Sequence, residues 1–319
     1  MLVGTGIYPP FTATKGMTIR GAGFAQISSQ FSGGAAGVCD VPAGQELQIK
    51  GLLLYQSVVE VRGGRVSFSS CSMLPDFGQP NLTVQNATVH LTACNLFGRW
   101  APVLEAIGSD VTAAGCAFDM QSGFGPAISN VSLDQSRFHA TGASMRRGPS
   151  GPHGPAVRAR NGSQAWLSDS LLESYACAID SVGSVVRTDR CTVIEAGSGC
   201  SAGVAGPLLG VESSSASVGF GPGFTWAPVC NYAPNSFVVL FASPRLGTVS
   251  WGPIIEQPTW LNHSLGVSAQ VLFTDAAGQA QASITFSSGP GIANQRLWFV
   301  GIAGPGLPLQ STAVLGGVL

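Results

Sequence analysis

The chain has 319 residues, of which 45% are hydrophobic and only 10% charged, with 43 glycines and 20 prolines. That apolar content excludes a charged, disordered polymer, and glycine without a triplet period excludes a collagen-like chain. Fifteen basic against sixteen acidic residues, a formal net charge of −1, leave no electrostatic footprint for nucleic acid. The longest apolar runs, such as Leu52 to Tyr55 and Phe237 to Ala242, are far shorter than a membrane-spanning helix requires.

From residue 17 to 193 an eight-residue pattern recurs: apolar, any, apolar, any, any, small or Cys, any, apolar. In chain order its first two copies are Met17, Ile19, Ala22, Phe24 and Leu47, Ile49, Leu52, Leu54. Three copies that share cysteine follow: Val66, Phe68, Cys71, Met73, then Val89, Leu91, Cys94, Leu96, then Val111, Ala113, Cys116, Phe118. The last three are Val131, Leu133, Ser136, Phe138, then Ala165, Leu167, Ser170, Leu172, then Val186, Thr188, Cys191, Val193. The sixth positions lie 30, 19, 23, 22, 20, 34 and 21 residues apart, a period near 21 with two long intervals. Those intervals read as insertions, one around Phe31 to Gly44 and one loop at Thr141 to Pro155, TGASMRRGPSGPHGP.

Leucine-rich repeats share this signature, so the rest of the period decides the architecture. Three residues before the first apolar position stand Gly63, Asn86, Gly108, Ile128, Gly162 and Gly183, mostly turn formers where a leucine-rich repeat places Leu. Upstream of each turn lies another short apolar segment: Ser57 to Val61, Leu82 to Gln85, Val103 to Ile107, Ala156 to Ala159 and Ala178 to Asp180. Two or more strands per turn specify a parallel β-helix of about eight coils, each strand pairing with the next coil at about 4.8 Å. Alternation then points the first and third positions inward. A bend before the sixth resets the phase, so that Cys71, Cys94 and Cys116 form an internal column, with Ser136 and Ser170 keeping the size.

These coils resemble right-handed parallel β-helix repeat proteins, the superfamily of pectate lyases and polygalacturonases, over about residues 1 to 195. The opening Gly6 to Gly23, GIYPPFTATKGMTIRGAG, is similar to the first coil of such domains in secreted bacterial proteins.

After Cys191 the pattern stops, and Gly197 to Gly206, GSGCSAGVAG, suits a boundary. The expected organisation is therefore a β-helix over 1–196, a linker over 197–210 and a C-terminal module over 211–319. Within the module, Phe237 to Ser243, Val267 to Phe273, Ala280 to Phe286 and Gln295 to Ile302 alternate as strands of a small antiparallel β-sandwich. TDAAGQ, Thr274 to Gln279, reads as a hairpin turn, and Trp226, Trp251, Trp260 and Trp298 as core. The module resembles β-sandwich modules that end many large secreted bacterial proteins.

Four of the eight cysteines occupy the inward repeat position; among the others, Cys200 and Cys230 could staple the linker to the module, although connectivity does not follow from sequence. No CxxC pair suggests zinc, no clustered Asp trio suggests calcium, and no cofactor or metal is expected. Met1 to Gly6 lacks the features of a signal peptide, and a signal and cap are expected upstream. Five Asn-x-Ser/Thr sequons, at Asn81, Asn86, Asn130, Asn161 and Asn262, would matter only on a eukaryotic secretory route.

Carbohydrate-cleaving β-helix enzymes carry carboxylates and basic groups on their outer strand faces. Counting three residues past the sixth position gives Asp119, His139 and Glu173 on consecutive coils, with Arg137 beside them. Asp119 and Glu173 would flank His139 as acid and base, and Arg137 would hold a uronate carboxylate. Polar residues at outward positions are also what any solvated solenoid face requires, and the polygalacturonase motifs NTD, DD, GHG and RIK are absent. The sequence therefore favours a non-catalytic secreted or cell-surface protein with a structural, adhesive or carbohydrate-binding role. Its partner would be a polysaccharide or envelope component, with no nucleic acid and no membrane insertion. The alternative is a polysaccharide lyase or glycoside hydrolase acting on an acidic polysaccharide through Asp119, Arg137, His139 and Glu173.

Overall fold

The structure, a computed structural model, describes all residues except 29–34, 57, 75–77, 121–127, 148–153, 175–176, 196–203, 206–209, 214–223, 227, 245, 250, 257–258, 262–267, 287–295, 313–314 and 319. Every regular element among the described residues is a β-strand. The chain divides into two compact units, Met1–Ala205 and Gly206–Leu319.

The first unit is a parallel β-solenoid of about seven turns. Each coil contributes one strand to each of three parallel sheets, of ten, nine and eight strands. Sheet A contains Arg65–Ser69, Thr88–Thr92, Asp110–Ala114, Arg137–Thr141 and Gln164–Ser168; sheet B contains Ser72–Leu74, Asn95–Gly98, Ala117–Met120, Ser144–Arg147 and Leu171–Ser174. Sheet C, which includes Leu82–Gln85, Leu104–Ile107, Val131–Asp134 and Val157–Arg160, completes each coil.

The corner from A to B is one residue in the left-handed region, and this is the bend that resets the side-chain phase. Ser70, Ala93 and Asp169 hold φ of 50–51° there, and Gly51, Gly115 and Gly142 hold 58–64°. A left-handed residue costs a non-glycine side chain steric energy, so the corner is held by the ladders on either side of it. Beyond it, Cys71, Cys94 and Cys116 are buried in one line. The Cys94 N–H donates to Cys116 Sγ at 3.4 Å, and each thiol donates to the carbonyl two residues earlier, Ser69, Thr92 or Ala114. Ser170 continues this column, accepting from the Ala143 N–H at 3.1 Å.

Two copies of the repeat settle into a different register from the one counted on the sequence. Val131 and Leu133 pair with Leu104 and Ala106 in sheet C, whereas Phe138 and Ala140 pair with Val111 and Ala113 in sheet A. The true third-from-last set is thus Phe138, Ala140, Ala143 and Met145, which satisfies the same template and places Phe138 edge-on to Phe118, centroids 6.1 Å apart. Ser144–Arg147 is accordingly a strand where a loop was expected, and the intervals of 20 and 34 residues become two coils whose partners lie 27 residues apart. Ser136 belongs to a second internal line at the corner from C to A. There the N–H groups of Ala87, Ser109 and Ser136 donate to the hydroxyls of Ser109, Ser136 and Ser163 at 3.1–3.2 Å. In the first copy Ala25 and Ile27 take the inward positions expected of Ala22 and Phe24, since Ile27 is in register with Leu54 and Phe24 is 58% exposed.

Val204–Ala205, inside the expected linker, still pairs with sheet A through Arg187 and Thr188. In the second unit the described strands form small antiparallel sheets. The largest is ordered Ser268–Phe273, Phe237–Ser243, Arg296–Ala303, Gln310–Ser311. Trp298, Val300 and Ile302 from its third strand pack with Ile255 and Leu261 as a sandwich-like core. Trp251 is instead on the surface, its indole N–H donating to Thr259 at 2.8 Å, and the side chains of Trp226 and Trp260 lie outside those described. The TDAAGQ turn forms, with the Asp275 carboxylate accepting from the Ala277 and Gln279 N–H groups and Gly278 at φ 80°. It does not close a hairpin: Ser268–Phe273 pairs with Phe237–Ser243, while Gln279–Gln281 pairs with Pro228–Asn231. Cys230 carries a free thiol, so the Cys200–Cys230 staple is not made, and Cys177 is disulfide-bonded.

Candidate functional site

The register divides the four sequence-chosen residues between two sheets. On sheet B, Asp119 pairs with Arg146 and with Phe97, and Glu173 stands one coil beyond Arg146, following the pairs Ser144 with Leu171 and Met145 with Leu172. Their inner neighbours Leu96, Phe118, Met145 and Leu172 are fully buried, so alternation turns Phe97, Asp119, Arg146 and Glu173 outward. Phe97, Asp119 and Glu173 are partly buried and Arg146 is exposed.

Asp119 is the perturbed member of this row. Loss of solvent raises its pKa above the usual carboxylate range, the Arg146 guanidinium and backbone N–H oppose that rise, and the Glu173 charge adds to it. Its Oδ1 is buried with no hydrogen-bond partner among the described residues. No described ion pair closes Arg146 onto either carboxylate, so three charged groups stand side by side at strand spacing. They offer a hydrogen-bond donor fork between two acceptors, with an aromatic ring at one end.

Arg137 and His139 lie on sheet A. Arg137 grips Asp110, its register partner, with Nε to Oδ1 at 2.5 Å and Nη2 to Oδ2 at 2.7 Å. His139 stands in a line with His90, Thr112 and Trp166 that points away from the core yet is buried; His139 is 1% exposed. Its ring lies 6.2 Å from that of Trp166, neither nitrogen has a hydrogen-bond partner among the described residues, and burial pushes its pKa down to about 3. His139 is therefore not the middle member of the Asp119 row. Arg146 is, and the signal that could have found it is the second template match at Phe138, Ala140, Ala143 and Met145, which puts Arg146 three residues past a sixth position.

Other candidate positions also resolve. Asn81 and Asn130 are buried, each amide bridging two coils: Asn130 Nδ2 donates to the carbonyls of Phe118 at 2.6 Å and Arg146 at 2.8 Å, and Asn81 Nδ2 donates to those of Met73 and Phe97. Neither can accept a glycan in the folded chain. Asn262 lies outside the described residues.

The geometry defines the protein's class as a parallel β-solenoid followed by small antiparallel sheets. No known family model and no curated protein matches the chain. Among solved structures it is similar to the full-length tailspike protein 2 from Escherichia coli O157:H7 bacteriophage CAB120, at 10% identity and a TM-score of 0.28. That match covers 94% of this chain and 59% of the tailspike chain, so this chain spans less than two thirds of it. It is also similar to the Dettilon tailspike protein, at 9% identity and a TM-score of 0.21, over 90% of this chain and 85% of that one. Likeness at this level assigns no residue and no activity.

Proposed function

We propose that this is a non-catalytic, secreted or surface-exposed solenoid that binds polysaccharide through the outer face of sheet B. The observation that carries the reading is the row Phe97, Asp119, Arg146 and Glu173, where an aromatic ring and three charged groups share one face in register. Aromatic faces stack on the apolar faces of sugar rings, while carboxylates and guanidinium groups take up hydroxyls with charge-assisted hydrogen bonds. A glycan array tests this. The full chain gives signals that Arg146→Ala and Phe97→Ala remove while lowering the unfolding temperature by no more than about 4 °C; an array with no signal refutes it.

The raised pKa of Asp119 favours a second reading, glycoside hydrolysis, in which Asp119 is the acid and Glu173 the base. Two strand spacings separate their positions by roughly 9.5 Å, the upper end of the ~6.5–9.5 Å that leaves room for an attacking water. Arg137, occupied by Asp110, and His139, buried on sheet A, take no part in this version. Incubation with a polysaccharide panel would release new reducing ends, and Asp119→Asn would abolish them; no product from any substrate retires the reading.

A further inference from the structure

We infer that the outer row of sheet B is one continuous strip for an uncharged polysaccharide lying along the solenoid axis, its sugar rings over Tyr55 and Phe97 and its hydroxyls on Asp119, Arg146 and Glu173. The inference rests on the binding reading above and names the ligand class and its direction. Leu74 pairs with Tyr55, and Met73 with Leu96, which sets Phe97 next after Leu74 in the column that continues through Asp119 and Arg146. All are outward residues of successive strands, so the column runs perpendicular to the strands. Its five steps from Tyr55 to Glu173 extend about 24 Å, long enough for several sugar rings.

The two ends of the column differ in chemistry. Tyr55, Leu74 and Phe97 are partly buried apolar groups, a stacking surface without charge. Asp119, Arg146 and Glu173 carry two carboxylates and one guanidinium, a net charge of −1 when both acids are ionised. A uronate or sulfated unit placed on Arg146 would set its own anion between two carboxylates one strand spacing away on either side, and that repulsion opposes binding. Neutral hydroxyl pairs have the reverse fit: they donate to the solvent-facing oxygens of the carboxylates, and their own oxygens accept from Arg146. The strip is therefore selective by charge at one end and by ring stacking at the other.

Titration calorimetry of the full chain with neutral and uronate oligosaccharides of increasing length tests the inference. Affinity for neutral oligomers should rise with length until the strip is filled and exceed that for uronates of equal length by about tenfold. Tyr55→Ala should weaken long oligomers by about tenfold while leaving short ones within about twofold, whereas Arg146→Ala should weaken both. Uronate affinity should rise with added salt as the repulsion is screened. Glycan binding that prefers uronates, or that ignores length and Tyr55, overturns this inference and leaves the binding reading standing. Binding of no glycan at all overturns both.

Discussion

At the central outward position of five successive sheet A strands stand Ser67, His90, Thr112, His139 and Trp166, all nearly inaccessible to solvent, Trp166 being the most open at 4%. On sheet B the equivalent outward residues Phe97, Asp119 and Glu173 keep part of their surface in water, and Arg146 is exposed. Both faces arise from the same alternation on the same coils. Period-two patterning tells which side of a strand a residue occupies, but whether that side meets water depends on what lies over it. Chemistry follows from the second fact: a histidine kept neutral by burial cannot act as a cation at neutral pH, while a partly exposed carboxylate still exchanges protons and hydrogen bonds with a ligand.

The largest expected effect comes from truncating each face. Trp166→Ala should cost about 3–5 kcal/mol in a denaturant titration, and Phe97→Ala should cost about 1 kcal/mol or less because its site is already part open. Equal losses would break the contrast between the faces.

Acid comes next. His90 and His139 both have pKa values pushed down to about 3, by burial first and, at His90, by the Arg65 charge as well. In the unfolded chain they would titrate near 6.5. The unfolded state therefore binds protons first: the stability they lend is full above pH 6.5 and is lost as the pH falls toward 3. Each histidine costs about 1.4 kcal/mol per pH unit in that window. His139→Gln should flatten the decline by about one proton, measured as the slope of unfolding free energy against pH; an unchanged slope would show that His139 meets solvent in the native state.

The smallest effects sharpen the electrostatic side. Arg137→Ala removes a two-point contact with Asp110 at a site more than a third exposed, so its cost should not exceed about 1 kcal/mol. Arg146→Ala should stay within about 0.5 kcal/mol while changing ligand binding. A stability loss at Arg146 larger than at Arg137 would mean that Arg146 is structural.

The solenoid was legible in the sequence because its core positions repeat with chemistry that tolerates little else, as the thiol line and the apolar pairs Val66/Phe68 and Val89/Leu91 illustrate. The register between residues 128 and 147 was harder to read because two overlapping segments match the same template, VSLDQSRF and FHATGASM. What decides between them is Phe138 meeting Phe118 and the serine hydroxyls meeting backbone N–H groups, which are contacts between coils. One misplaced coil was enough to put His139 where Arg146 stands. In the C-terminal unit the strands themselves could be read, but their partners could not: the Asp275 turn is locally complete, and alternation carries no record of whether its two arms pair with each other.

The line of thiols gives the molecule a built-in record of its own opening. Cys71, Cys94 and Cys116 sit sealed at successive heights of the coil, whereas Cys191 is only partly covered near the last turns. Hydrogen bonding to the next thiol in the line, with burial adding to it, holds Cys71 and Cys94 in the unreactive protonated form, and burial raises the Cys191 thiol as well. An alkylating reagent applied to the native chain would mark Cys191 first and the sealed three only as the coils separate, so the order of labelling would trace the path along which the stack comes apart.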